Sequence, residues 1–207
     1  MKNWVEWHQD YDTPGSPLSR RLDLVRSRLS EALDALGPEP SVLSLCAGDG
    51  RDVISVLRER TTKVGRVVLV ELDQTLAGRA GEAAIAWGLT SLEIRCDDAG
   101  AVASFVDVVP VDVLMLCGIF GNVEHDHVKD MVDLIPCLLR RGGFVIWTRG
   151  GSEPDRRPEV RRWLDLAGLR EVSFDGEPEP YGVGLSQMTR PSLPPTLLPE
   201  RLFRFAS

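Results

Sequence analysis

The stretch Val42-Leu-Ser-Leu-Cys-Ala-Gly-Asp-Gly50-Arg-Asp-Val-Ile54 decides the fold. It begins as a short apolar run and passes through two glycines one residue apart. It then enters a pattern that puts Val53, Val56 and Leu57 on one side of a helix. A buried strand, a tight turn and an amphipathic helix, in that order, make the first half of a strand–helix–strand unit. Gly48 and Gly50 remove the side chains that would keep a ligand away from the backbone of the turn.

The unit repeats downstream. Apolar runs at 67–70, 92–95, 111–117 and 144–147 suit parallel strands buried on both faces. Leu76, Ala80, Ala83, Ala84 and Trp87 recur at helical spacing, as do Val128, Met131, Val132, Ile135 and Leu138. Pro158 opens a further helix that Gly168 closes, and residues 170–175 predict a sixth strand. From 176 to 200 the chain is rich in Pro and Gly, and the last strand is either 182–188 or 202–205. Upstream, Ser16-Pro17 predicts a helix start, with Leu18, Leu22, Val25, Leu29, Leu33 and Leu36 on one face and Gly37-Pro38 as the stop. The expected architecture is α/β and Rossmann-like. It is a doubly wound, mostly parallel seven-stranded sheet with helices on both faces and an antiparallel last strand.

The 207 residues carry 43% hydrophobic and 27% charged side chains and a net charge of −7. No Lys/Arg run stands out, so neither a nucleic-acid partner nor a polyanionic substrate is expected. The N-terminus is too polar for a signal peptide or a membrane span, which makes a cytoplasmic location and no membrane partner the expectation. Cys46, Cys96, Cys117 and Cys137 show no metal-ligand spacing, and no metal is expected. The sequence sets no oligomeric state.

In open α/β sheets, ligands bind outside the carboxyl ends of the strands where strand order reverses. The second strand ends at Glu71-Leu-Asp73, roughly 20 residues beyond the glycine loop, where an acid can accept hydrogen bonds from both ribose hydroxyls. A solvated carboxylate at a strand end is the plainer alternative. A dinucleotide loop needs a third glycine, but Val53 stands there, and Asp49 and Asp52 would repel a pyrophosphate. The same acids suit a ligand carrying an ammonium and a sulfonium.

On these residues the chain resembles the class I S-adenosylmethionine-dependent methyltransferases. Val42-Leu-Ser-Leu-Cys-Ala-Gly-Asp-Gly50 is similar to their first motif, and Glu71 sits at their ribose-binding acid. Ile94-Arg-Cys-Asp97-Asp98-Ala99 resembles the third-strand motif, whose Asp contacts the adenine amino group; Asp98 takes that role, with Asp97 as its rival. Asp112-Val-Leu-Met-Leu-Cys117-Gly118 resembles the fourth strand. Ser-Leu-Cys-Ala-Gly-Asp-Gly-Arg-Asp, Cys-Gly-Ile-Phe-Gly-Asn-Val and Val-Ile-Trp-Thr-Arg are similar to a group of small bacterial methyltransferases of unassigned substrate. The resemblance implies S-adenosyl-L-methionine as cofactor, S-adenosyl-L-homocysteine as product, and a donor lying along Cys46, Ala47, Gly48, Asp49, Gly50, Glu71, Leu72, Asp98, Ala99, Cys117 and Gly118. It implies one domain over 1–207: a lid and helix (1–37), a donor-binding core (40–150) and a C-terminal part (151–207). Ser44 stands where many members have an acid, so the donor's amino group lacks that contact, and Asp49 is the substitute considered for it. Cys46, Cys96 and Cys117 fall at strand ends, either lining the crevice or packing the core.

For the acceptor side, the loop after the fourth strand offers Phe120 and Asn122 to pack and orient a small-molecule acceptor. It lacks the Asn/Asp-Pro-Pro-aromatic tetrad of nucleic-acid and protein-glutamine N-methyltransferases. His125 is a possible general base, as is His127, although Glu-His-Asp-His ahead of an apolar helix also reads as first-turn polarity. Trp4, Trp7, His8 and Tyr11 form either a lid over the crevice or a docked aromatic cluster. Trp4 is assigned to acceptor binding, and His8 and Tyr11 to proton chemistry. Arg21 shares the apolar face of its helix and wants an anion, either the donor's carboxylate or a structural acid. A binding protein without turnover and an NAD-dependent oxidoreductase are the competing functions.

Overall fold

A computed structural model describes residues 10–176 and 180–206. Strands β1 (Val42–Leu45), β2 (Val67–Glu71), β3 (Leu92–Cys96), β4 (Val111–Leu116) and β5 (Leu139–Gly150) run parallel. Two more follow, β6 (Leu169–Asp175) and β7 (Tyr181–Met188), and β7 is antiparallel to both β5 and β6. The sheet order is β3-β2-β1-β4-β5-β7-β6. This is the expected doubly wound α/β sheet, and its order reverses between β1 and β4.

The central strands are buried on both faces, as their unbroken apolar runs require. On one face lie α1 (Pro17–Ala35), α2 (Arg51–Glu59) and α3 (Gln74–Ala86), and on the other α4 (His125–Leu138) and α5 (Arg157–Leu166). The start of α1 is local chemistry: Ser16 Oγ accepts the Ser19 N–H at 3.0 Å and Pro17 supplies a preset φ. Leu36 turns extended and ends α1 one residue before Gly37. Asp73 caps α3 by accepting the N–H groups of Thr75 and Leu76.

Of the two segments that compete for the last strand, 181–188 wins because it pairs along its length with strands on both sides. Gly184 of β7 lies opposite Trp147 of β5, and a Cβ there would sit 2.3 Å from the indole Nε1. That space lets Trp147 lie fully buried, stacked on Phe174 at 5.7 Å and tilted against Phe120 at 6.0 Å. Residues 202–205 are not a strand. They bury Leu202 and Phe203 and cross the carboxyl mouth of the sheet, with bridges Ala101↔Arg201 and Val123↔Phe205. Among the described residues no helix is long and apolar enough to cross a membrane.

Candidate functional site

The crevice at the β1/β4 reversal is built first by the turn after β1. Cys46, Gly48 and Gly50 all adopt left-handed backbone, with φ of 55°, 60° and 66°. For Cys46 this costs about 1–2 kcal/mol. Gly50 is required by packing as well, because a Cβ would stand 2.7 Å from Leu69 Cδ1. The turn is pinned to β2 by one carboxylate. Glu71 accepts the Gly48 N–H at Oε2 and the Asp73 N–H at Oε1, each at 2.8 Å. An ionised carboxylate offers about four acceptor positions. Two are therefore spent on orientation, which leaves the remainder free to receive a diol.

At the end of β3, Asp98 accepts the Gly100 N–H and an Arg201 N–H, both at 2.8 Å. Burial pushes the Asp98 carboxyl up, but Arg201 and the Gly100 amide outweigh it and hold the group below the ordinary aspartate value. Its rival Asp97 is exposed and accepts the Asp98 N–H at 2.7 Å. Leu72 is 67% exposed beside Glu71, whereas Ala99 is buried in the core.

The flanking acids of the turn divide in a way the sequence does not reveal. Asp49 is clamped by Arg51 through a two-pronged contact, at 2.9 Å to Nε and 2.6 Å to Nη2. Its charge is compensated, which counts against it as the substitute for the acid missing at Ser44. Ser44 itself is buried in β1. Asp52, half-buried, accepts the Val53 N–H at 2.8 Å, and burial together with Asp49 raises its pKa. Its field reaches Tyr11 and Cys117. Burial raises the Cys46 thiol well above the ordinary range, with Glu71 and Asp98 adding to it. Burial and Asp52 do the same to Cys117. Ala47 and Cys117 pack at the edge of the α1/α2 core, and Cys96 is exposed.

Tyr11 stands over this crevice on a single 3-10 turn, Asp10–Asp12. Arg21 donates to its hydroxyl, and the guanidinium groups of Arg21 and Arg51 lie 5.6 and 5.2 Å from its ring centroid. Asp12 adds an ion pair to Arg51 at 2.9 Å. Burial raises the Tyr11 pKa. Among the described residues Arg21 meets the phenol of Tyr11. Trp4, Trp7 and His8 lie outside the described residues.

The loop after β4 is held to β5: the Gly118 N–H donates to Thr148 Oγ1 at 2.8 Å, and Arg149 donates to the Phe120 carbonyl. Asn122 Nδ2 donates to the Gly118 carbonyl at 2.6 Å, so its amide staples the turn. Phe120 has no exposed surface and packs on Trp147, which makes it floor beneath the loop rather than an acceptor wall. His125 opens α4, pairs through Nε2 with Glu159 of α5 at 2.7 Å, and stacks at 4.8 Å on Trp163. Those contacts tie two helices together. His127 is exposed on the first turn. Thr148, Arg149 and Arg201 are site-forming residues that sequence reasoning missed. The first two stand in the quoted Trp-Thr-Arg, at the carboxyl end of β5, and that position was the available signal.

No family model matches the chain, and no curated protein does. Solved structures do match. A possible exported protein from Bordetella parapertussis aligns at TM-score 0.67 with 14% identity, over 83% of this chain and 68% of its own. An O-methyltransferase family protein from Burkholderia thailandensis aligns at 0.63 with 16% identity over 83% of this chain, which spans only 56% of that protein's length. The 1,6-didemethyltoxoflavin-N1-methyltransferase of Burkholderia thailandensis, with bound 1,6-didemethyltoxoflavin and S-adenosylhomocysteine, aligns at 0.61 with 20% identity over 90% and 87%. The fold is a methyltransferase fold. At these identities the likeness speaks for architecture, and the side chains must speak for chemistry.

Proposed function

We propose that the chain transfers a methyl group from S-adenosylmethionine to a small-molecule acceptor. One observation carries the reading: Glu71 is fixed between the glycine turn and β2 with acceptor positions to spare. Such a carboxylate suits a ribose diol. Asp98 or Asp97 would receive the adenine amino group, and the exposed Leu72 would cover the base. The acids Asp49 and Asp52 beside a turn that lacks a third glycine suit a pyrophosphate poorly, against an NAD-dependent oxidoreductase. The bound S-adenosylhomocysteine of the toxoflavin-type neighbour supports the same choice of cofactor.

When bound, the sulfonium supplies an electrophilic methyl whose transfer neutralises the charge on sulfur. The protein's part is to align and to exclude water, which contributes roughly 7–11 kcal/mol when the geometry is tight. Tyr11 covers the crevice between two arginines, and burial favours retention of its proton. Cys46 and Cys117 stay as thiols, so neither competes as a nucleophile for the methyl. Trp4 and His8 belong to the same proposed cover. Gly118 and Asn122 shape the opposite rim.

A second reading, retention of the nucleoside without turnover, draws on the acceptor side, where Phe120, Asn122 and His125 are engaged by their own neighbours. Incubating the protein with methyl-labelled donor and a small-molecule extract separates the two. Methyl transfer predicts a labelled product other than the donor, whereas binding alone predicts a stoichiometric complex and no labelled product.

A further inference from the structure

The carboxyl end of β5 carries a guanidinium that has no ion pair among the described residues. Arg149 is half-buried there, one strand over from the β1/β4 reversal, and its guanidinium donates to the carbonyl of Phe120 in the loop after β4. Among the described residues no carboxylate lies within ion-pair distance of it. The two nearest acids are already committed. Asp155 is gripped by Arg157 at 2.9 Å to Nε and 2.8 Å to Nη2. Glu159 is shared by Arg156 at 3.1 Å and His125 at 2.7 Å. Burial and the neighbouring Arg156 work against the charge on Arg149, and Glu159 and Asp155 offset them only in part, so its pKa is lowered. A half-buried cation satisfied only by a carbonyl is costly unless an anion completes it.

We propose that Arg149 is the specificity-determining residue for an oxyanion, a carboxylate or a phosphate, carried by the methyl acceptor. The guanidinium fork pairs with either group through two parallel hydrogen bonds. Its bond to the Phe120 carbonyl sets the fork beside the loop that faces the crevice and leaves its remaining N–H groups for the ligand. This inference rests on the methyl-transfer reading, and it narrows the acceptor to an anion.

The test fractionates a small-molecule extract on a strong anion-exchange resin at neutral pH, then offers both fractions to the full chain with methyl-labelled donor. Methyl acceptance in the retained fraction is expected, and alkaline phosphatase treatment of that fraction tells a phosphate, whose acceptance it abolishes, from a carboxylate. Arg149→Gln is expected to raise the amount of retained fraction needed for half-saturation roughly tenfold to hundredfold. Arg149→Lys should recover part of the loss. S-adenosylhomocysteine affinity should stay within about twofold in both variants, because Arg149 sits away from the glycine turn. Acceptance confined to the flow-through overturns the proposal, as does an unchanged half-saturation in a folded Arg149→Gln. If that variant does not fold, the fractionation result decides alone. Acceptance in neither fraction overturns the methyl-transfer reading itself and the proposal with it.

Discussion

The two halves of the carboxyl mouth are built on different terms. At the ends of β1, β2 and β3 the functional side chains hold backbone. Glu71 receives two amide N–H groups, Asp98 receives the Gly100 amide, and the turn's left-handed residues are fixed by packing. At the ends of β4 and β5, apart from Thr148 on the Gly118 amide and Asp155 on that of Arg157, the side chains hold one another or a local carbonyl: His125 with Glu159, Arg157 with Asp155, Asn122 with Gly118. A backbone-anchored carboxylate cannot swing away, so the first half is the more preorganised of the two and is the one proposed to hold the donor. The second half is a network of exchangeable polar contacts over a buried aromatic floor of Phe120, Trp147 and Phe174. That arrangement suits a part whose ligand differs from one protein of this architecture to the next.

The sharpest way to break the contrast is Glu71→Ala. Losing one carboxylate removes two backbone contacts and the proposed ribose contacts, and calorimetry should find S-adenosylhomocysteine binding weakened roughly hundredfold. On the other half, Gly184→Ala drives a methyl into Trp147 and should destabilise the fold by about 1–3 kcal/mol in urea unfolding. Donor affinity should nonetheless hold within about threefold. If Gly184→Ala abolished donor binding while the chain stayed folded, the two halves would not be separable.

Thiol chemistry tests the crevice more gently. At pH 8, alkylation followed by mass spectrometry should label the exposed Cys96 at least about tenfold faster than Cys46 and Cys117, whose thiols are held protonated. The smallest effect concerns acid. The folded pKa of Asp98 lies below its ordinary value near 3.8, so its contribution is fully present above that value and is lost as pH falls through the lower folded pKa. Arg201→Gln removes the partner. It should move the acid-unfolding midpoint slightly upward and leave neutral-pH stability within about 1 kcal/mol, since the pair is partly solvent-screened.

The sheet was legible from sequence because its signals are local. Unbroken apolar runs, the Ser16-Pro17 start and the glycines after β1 each act within a few residues, and Glu71 and Asp98 stand at or just past strand ends, where the sequence places them. Contacts between distant segments were not legible. Nothing in the sequence announces that Arg201 closes on Asp98, that His125 turns to Glu159 on another helix, or that Phe120 sinks beneath its own loop. The last strand was a contest between two similar patterns, decided by pairing with β5 and β6 that only the assembled sheet supplies. Asp49 looked available until Arg51, two residues away, clamped it, a side-chain choice that residue spacing does not determine.

The central claim is that the preorganised half holds a cationic nucleoside donor and not a dinucleotide. Titration calorimetry of the unmodified chain with S-adenosylhomocysteine and, separately, with NAD tests it most directly. Saturable one-to-one binding of S-adenosylhomocysteine with no heat from NAD is the predicted result. Binding of NAD, or no binding of S-adenosylhomocysteine, would contradict it.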